Sequence, residues 1–167
     1  ISGMDNELVF GSVFHSLNFS DAIDKGLLTD YQVVIIGVDA PMINKWIANR
    51  ELVKTKSGEV VDAKSLAAQI GLIKAIKDYN LKRMISFHSR VKRAEDFASS
   101  IQEASNIVDA GHKPDGCIWA DVVSGQMSTH KRRLKLEQLK SLTQGDIGLL
   151  SNARCLSEGV DVPSLDG

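Results

Sequence analysis

Four short apolar runs alternate along this chain with segments of helical periodicity, and that alternation constrains the fold more than any other feature. The runs fall at residues 31–38, 84–88, 116–123 and 147–150, and each predicts a strand. Strands separated by helices favour a parallel sheet that is covered by helices on both faces and connected by right-handed crossovers. The sequence therefore predicts an α/β fold with a twisted parallel sheet.

Helix boundaries are predicted from capping residues and apolar spacing. Ser20 is a suitable N-cap for a helix over 21–27, Asp62 for a helix reaching about residue 79, and Ser128 or Thr129 for a later one. The helix after residue 128 is expected to bury three leucines: Leu134, Leu139 and Leu142. Further helices are predicted over 41–53, before a polar loop at 54–60, and from about 91 to a point before residue 111.

Composition limits the class of protein without identifying it. The 167 residues carry a net charge of −1, so overall charge does not indicate a nucleic-acid partner. No apolar run is long enough to cross a membrane, so no membrane partner is expected. Cys117 and Cys155 have no paired spacing, which favours a reduced cytoplasmic setting. The four histidines are scattered, so no metal site is predicted.

Polar residues follow three of the predicted strands, at 86–90, 124–129 and 151–152. In a parallel sheet these positions lie along one edge, which would combine small hydroxyls, glycine amides and helix N-termini. Basic residues begin the helices that follow, and they are Arg90, Lys92, Arg93, Lys131, Arg132 and Arg133. Positive charge there opposes the helix dipole, so we expect this edge to bind an anion such as a row of phosphates.

The run S-N-A-R-C-L-S-E-G-V-D-V-P at residues 151–163 resembles motif V of superfamily 2 helicases of the DEAD/DEAH-box type. Residues 84–94 resemble motif IV, and the stretch from Gly125 to Arg132 resembles the conserved element between motifs IV and V. Residues 4–11 and 19–31 are similar to the segment that follows motif III. The resemblance covers nearly the whole chain. It implies the second, C-terminal RecA-like domain of such an enzyme.

The resemblance also implies which residues act. In the family these motifs grip the sugar-phosphate backbone, which assigns nucleic-acid binding to Ser86, Phe87, Ser89, Gly125, Arg132, Ser151 and Asn152, with Arg90 beside them. The end of motif V faces a nucleotide between two motor domains, which assigns nucleotide binding to Glu158, Gly159 and Asp161. The implied partners are nucleic acid, DNA in preference to RNA, and the N-terminal RecA-like domain of the same parent chain. His88 is expected to be a hydrogen-bonding residue at a strand end.

The chain lacks several parts of a complete motor. It has no G-x-x-x-x-G-K-[ST] loop and no D-E-x-x box, and it ends before the Q-x-x-G-R-x-x-R motif. We therefore expect residues 1–30 to be a lead-in from the preceding motor domain, and 31–167 to be a RecA-like domain without its own P-loop. ATP and Mg²⁺ would belong to the full-length helicase. The chain alone is expected to hydrolyse nothing and to hold no cofactor tightly.

Departures from the family keep alternatives open. Thr129 stands where the family often has glutamine, and Ser151 stands where motif V usually has threonine. The translocating motor of a restriction enzyme shares these motifs and is the nearest alternative. A Rossmann-like small-molecule binding domain is disfavoured because no G-x-G-x-x-G follows the first predicted strand. A pure interaction module is the third possibility.

Overall fold

The structure is a computed structural model that describes residues 6–38, 44, 61–143, 145–156 and 165–167. Its helices and strands follow in the order α1 (Glu7–Phe10), α2 (Phe19–Asp24), α3 (Ala63–Tyr79), β1 (Arg83–His88), α4 (Val91–Ile107), β2 (Ile118–Ser124), α5 (Thr129–Lys140) and β3 (Ile147–Ala153). The chain divides into two compact units, Ile1–Ile35 and Ile36–Gly167. The second unit contains the sheet.

The three described strands form one parallel sheet in the order β1-β3-β2, so the strand that comes last among them in the sequence lies in the centre. In the register, Ser86 of β1 and Val122 of β2 both lie opposite Ser151 of β3. The strands are connected through α4 and α5, which is the arrangement that parallel pairing requires. The predicted α/β class and parallel sheet are confirmed.

Helices cover both faces of the sheet, and the alternation of side chains along β3 shows how. Ile147 and Leu149 pack in a core cluster with residues of α3 and α4, including Ile70 and Ile101. Leu150 points the other way and packs in a second cluster with Leu139 of α5. Successive residues of a strand face opposite sides of the sheet, and every residue of β3 is buried, so helices cover this strand on both faces.

Gly148 allows α5 to approach β3 closely. A Cβ atom at this position would lie 2.6 Å from Leu139 Cδ1 and 2.3 Å from Leu142 Cδ1, which is closer than packed carbon atoms come. The glycine therefore leaves room for the two leucines on the α5 face of the sheet.

Side-chain caps fix the beginnings of two helices as predicted. The Asp62 carboxylate accepts hydrogen bonds from the backbone N–H groups of Lys64 and Ser65, and so begins α3. The Ser128 hydroxyl accepts from the Lys131 N–H and begins α5. In contrast, Arg90 occupies the N-cap position of α4 and provides no side-chain cap.

Backbone groups on both outer edges of the sheet have hydrogen-bond partners beyond the strands themselves, from the backbone along β1 and from side chains along β2. Along β1, the Ile85 N–H donates to the Gly167 carbonyl at 2.8 Å, and the Asp166 N–H donates to the Arg83 carbonyl at 2.8 Å. Along β2, the Ile118 N–H donates to Gln102 Oε1 at 2.8 Å, and the Val122 N–H donates to the Asp121 carboxylate at 2.7 Å.

Several sequence predictions were wrong in detail. Residues 31–38 form no strand: a strand requires a hydrogen-bonded neighbour, and the structure pairs this segment with none in the described part of the chain. Ser20 is not a cap, because Asn18 accepts from the Asp21 N–H and begins α2 two residues earlier. Leu134 is 53% exposed, so α5 buries only Leu139 completely.

The last strand is longer than predicted. It continues past residue 150 through Ser151 and Asn152 to Ala153, because partners within the fold satisfy both polar side chains. The predicted helix over 41–53 lies outside the described residues except for Asn44, which is helical, and the predicted loop over 54–60 lies outside them entirely.

Candidate functional site

The carboxyl ends of all three strands meet at one edge of the sheet, which we call the carboxyl edge. His88 ends β1, Ser124 ends β2, and both lie opposite Ala153, which ends β3. The residues that follow each strand therefore emerge side by side. The expected juxtaposition of the three polar segments is confirmed by this register.

A hydrogen-bonded group of side chains lies just inside the carboxyl edge. The Ser86 and Ser151 hydroxyls share a hydrogen bond of 3.0 Å, and Ser86 Oγ lies 2.9 Å from His88 Nε2. The His88 ring also packs against Phe97, with 4.9 Å between ring centroids. Ser151 is fully buried and Ser86 is half-buried. Their shared hydrogen bond gives both hydroxyls a partner within the fold. His88 is the strand-end hydrogen-bonding residue that the sequence predicts.

Burial lowers the pKa of His88 below 6.5, and the positive charge of Arg93 lowers it further. The folded protein thus binds this proton more weakly than the unfolded chain does. We expect His88 to make the protein less stable as the pH falls from about 6.5 towards the lowered pKa, with no further effect below that value. Thermal unfolding between pH 7.5 and 5.5 measures this loss.

The matched variant for this measurement is His88→Asn, which keeps a polar side chain but does not titrate in that range. We expect the variant to lose less stability than the wild type between the two pH values. Equal losses in the two proteins would show that other groups cause the acid sensitivity.

Arg132 connects α5 to the segment that follows β2. Its guanidinium donates to the Met127 carbonyl at 2.9 Å and to the Thr129 hydroxyl at 3.3 Å. Burial raises the pKa of the Cys155 thiol, and the positive charge of Arg132 opposes that rise. These two hydrogen bonds leave part of its five-donor group for another acceptor.

Asn152 is buried and organises the backbone after β3. Its Oδ1 atom accepts from the N–H groups of Cys155 and Leu156, each at 3.1 Å, and from the Cys155 thiol at 3.2 Å. This side chain is therefore occupied by its own chain. It can position the segment that follows the strand, and Leu156 anchors that segment by packing near Leu139.

The other predicted nucleic-acid contacts lie on the solvent side of the carboxyl edge. Phe87 is 69% exposed, and Ser89, Arg90 and Gly125 are exposed as well. The eight residues thus divide into an exposed set of Phe87, Ser89, Arg90 and Gly125, the half-buried Ser86 and Arg132, and the buried Ser151 and Asn152. Their role in nucleic-acid binding stays a prediction. The predicted nucleotide contacts Glu158, Gly159 and Asp161 lie outside the described residues.

Sequence reasoning missed one residue of this edge, Arg154. It follows β3 directly, is exposed, and has a backbone φ of 58°. The sequence does not indicate that an arginine adopts the left-handed backbone conformation, because glycine and asparagine are the residues that usually mark it.

A polar groove of about 380 Å³ lies between α4 and β2, but its charges do not suit an anion. Its lining includes Glu95, Asp96 and Asp121, and the last two form ion pairs with Lys92 at 3.0 Å and Lys135 at 2.5 Å. The lysines are already paired with carboxylates, and the remaining excess of carboxylates would repel phosphate. The guanidinium groups of the carboxyl edge suit an anion better than the carboxylates of this groove do.

Over the ranges that the structure describes, no three histidine, cysteine, aspartate or glutamate side chains are grouped closely enough to hold a metal ion. No helix within those ranges has the length and apolar character needed to cross a membrane. Comparisons of the chain with protein-family models, with curated proteins and with solved structures found no match.

Proposed function

We propose that this chain is the second RecA-like motor domain of an ATP-dependent superfamily 2 helicase or translocase, and that its carboxyl edge binds the sugar-phosphate backbone of a nucleic-acid strand. The observation that carries the proposal is the meeting of three polar strand ends along one edge, with Arg132 beside them. Hydroxyls, backbone amides and guanidinium groups are the usual phosphate-binding groups of proteins.

The charges at the helix starts support an anionic ligand. The first turn of α4 and the first turn of α5 contain no acidic residue. They contain basic residues, which are Lys92, Arg93, Lys131 and Arg132. Positive side chains at the positive end of a helix dipole are unfavourable by about 0.3–1 kcal/mol each, so a bound phosphate would stabilise both helix starts.

Nucleotide binding is the second part of the proposal. The resemblance assigns it to Glu158, Gly159 and Asp161, together with the first motor domain. ATP and Mg²⁺ would supply the energy of a cycle in which the two domains close and reopen on the strand. This chain would contribute to that cycle by holding the phosphate backbone.

Exposed apolar side chains in the first 36 residues support a neighbouring domain. Phe14 is completely exposed, and Val33 and Ile35 have exposed fractions of 77% and 94%. A concentration of exposed apolar residues in one stretch of sequence favours a surface that another folded body covers.

Replacing Arg132 with alanine tests the proposed function. We expect the variant to bind single-stranded oligonucleotides more weakly, by a similar factor for every sequence, because a phosphate contact carries no base information. The slope of log K against log salt concentration should fall by about 0.7–1, which corresponds to one lost phosphate contact. Fluorescence anisotropy with labelled oligo(dT) over a series of salt concentrations measures both quantities, and oligo(rU) separates DNA from RNA.

Lys82→Ala is the matched control. Lys82 directly precedes β1, so its removal takes one positive charge from the opposite end of the sheet. Its binding and salt slope should match the wild type. An unchanged slope in Arg132→Ala would remove Arg132 from the interface, and a wild-type chain without salt-dependent binding would contradict the proposed function itself.

A further inference from the structure

Arg154 is held in an unusual backbone conformation where the chain leaves β3. Among the described residues, only Asn80 and Arg154 combine a side chain with a positive φ, at 52° and 58°. Asn80 is the C-cap of α3, a position where asparagine is common. Arginine has no such preference, and its conformation costs energy that the surrounding structure must offset.

The two sides of Arg154 are fixed by buried groups. Ala153 before it is the last residue of the central strand, and it packs against α4. After it, the N–H groups of Cys155 and Leu156 both donate to the buried Asn152 side chain. The backbone thus bends at Arg154 between two positions that are held in the fold, so the place where its side chain leaves the fold is fixed as well.

The Arg154 side chain itself is exposed, and within the described part of the chain it has no hydrogen bond and no ion pair. Ala153, which precedes Arg154, pairs with Ser124 of β2, and Arg132 donates to the carbonyl of Met127 in the segment that follows Ser124. Two guanidinium groups therefore occur at neighbouring positions of the carboxyl edge. A phosphate bound at this edge would accept charge-assisted hydrogen bonds from guanidinium groups of both segments.

We infer that Arg154 is a second phosphate contact of the carboxyl edge, next to Arg132, and that the left-handed turn after β3 presents it to a nucleic-acid backbone. The inference rests on the proposed function, because it takes a phosphodiester chain as the ligand. It adds a residue that the resemblance does not assign. A guanidinium fits this role because it can donate two parallel hydrogen bonds to one phosphate.

Arg154→Gly is the direct test, because glycine adopts the positive φ without strain while the guanidinium is removed. We expect the thermal midpoint to equal or exceed that of the wild type. The Kd for labelled oligo(dT) should rise roughly three- to tenfold, the range for one charge-assisted contact. The salt slope should fall by about 0.7, the value for one phosphate of a single strand.

Three further variants show whether a change in binding comes from the backbone, from net charge or from the guanidinium group. Asn80→Gly makes the same backbone change at the other left-handed position, and Lys82→Ala removes one positive charge near the amino end of β1. Neither variant should change the salt slope. Arg154→Lys keeps the charge and loses the paired donors, so it should keep the slope while binding more weakly than the wild type.

Each possible result of these measurements either supports or overturns the role inferred for Arg154. A lower slope in Arg154→Gly, with unchanged slopes in Asn80→Gly and Lys82→Ala, supports the inference. An unchanged slope in Arg154→Gly overturns it while leaving the proposed function in place. An equal fall in Lys82→Ala also overturns it, since net charge alone would then explain the effect. A wild-type chain that shows no salt-dependent binding overturns both.

Discussion

Leu139→Ala is expected to lower the free energy of unfolding by about 2–5 kcal/mol, which would lower the thermal midpoint by roughly 5–15 °C in a chain of this size. Leu139 is fully buried, and it is the only residue of α5 that is buried completely. It packs with Leu150 and Val123 on one face of the sheet. Alanine would leave a cavity there that the rigid strands cannot close.

Leu134→Ala is the matched control, because it is the same substitution in the same helix. Leu134 is 53% exposed, so we expect a change within about 0.5 kcal/mol. Chemical denaturation of both variants gives the two free energies. Equal losses would mean that α5 is held by its exposed side or by its helix propensity, and that the packing described for Leu139 is wrong.

The second large effect is expected for Asn152→Ala, which should lower the free energy of unfolding by about 2–4 kcal/mol. The substitution removes the acceptor of two backbone N–H groups and of one thiol, and the Leu156 side chain beside them is buried. Each buried donor left without a partner costs about 1–3 kcal/mol, and some would regain water as the segment loosens. Denaturation measures the loss of stability.

A local measurement distinguishes this mechanism from general destabilisation. In Asn152→Ala the Cys155 thiol loses its acceptor, so brief alkylation followed by mass spectrometry should show faster modification of Cys155. The exposed Cys117 serves as the internal reference and should react at an unchanged rate. Asn106→Ala is the control variant, because Asn106 is exposed and its side chain accepts from Lys113 alone among the described residues. An unchanged Cys155 rate would contradict the assigned role of Asn152.

The sheet was predictable because its signals are local. Apolar runs gave the strands of the sheet, and Asp62 and Ser128 gave correct helix starts because a cap depends on the next three residues. The meeting of the polar segments at one edge then followed from parallel strand direction alone. That reasoning requires no knowledge of individual side-chain contacts.

Other features depend on partners distant in sequence, and the sequence therefore did not reveal them. Ser151 is buried because Ser86, 65 residues away, shares a hydrogen bond with it. The apolar segment 31–38 has the composition of a strand, but a strand exists only where a neighbour pairs with it. The left-handed turn at Arg154 depends on a buried asparagine and on the packing of Leu156, which only the folded chain brings together.

The hydrogen bonds along the outer sides of the sheet also bear on how the protein behaves at high concentration. A bare strand edge is a template on which another chain can polymerise. Here the Ile85 amide on one side, and the Ile118 and Val122 amides on the other, are already occupied. Intermolecular strand addition would have to break these bonds first, so the folded domain is protected at these positions from the first step of amyloid-like aggregation.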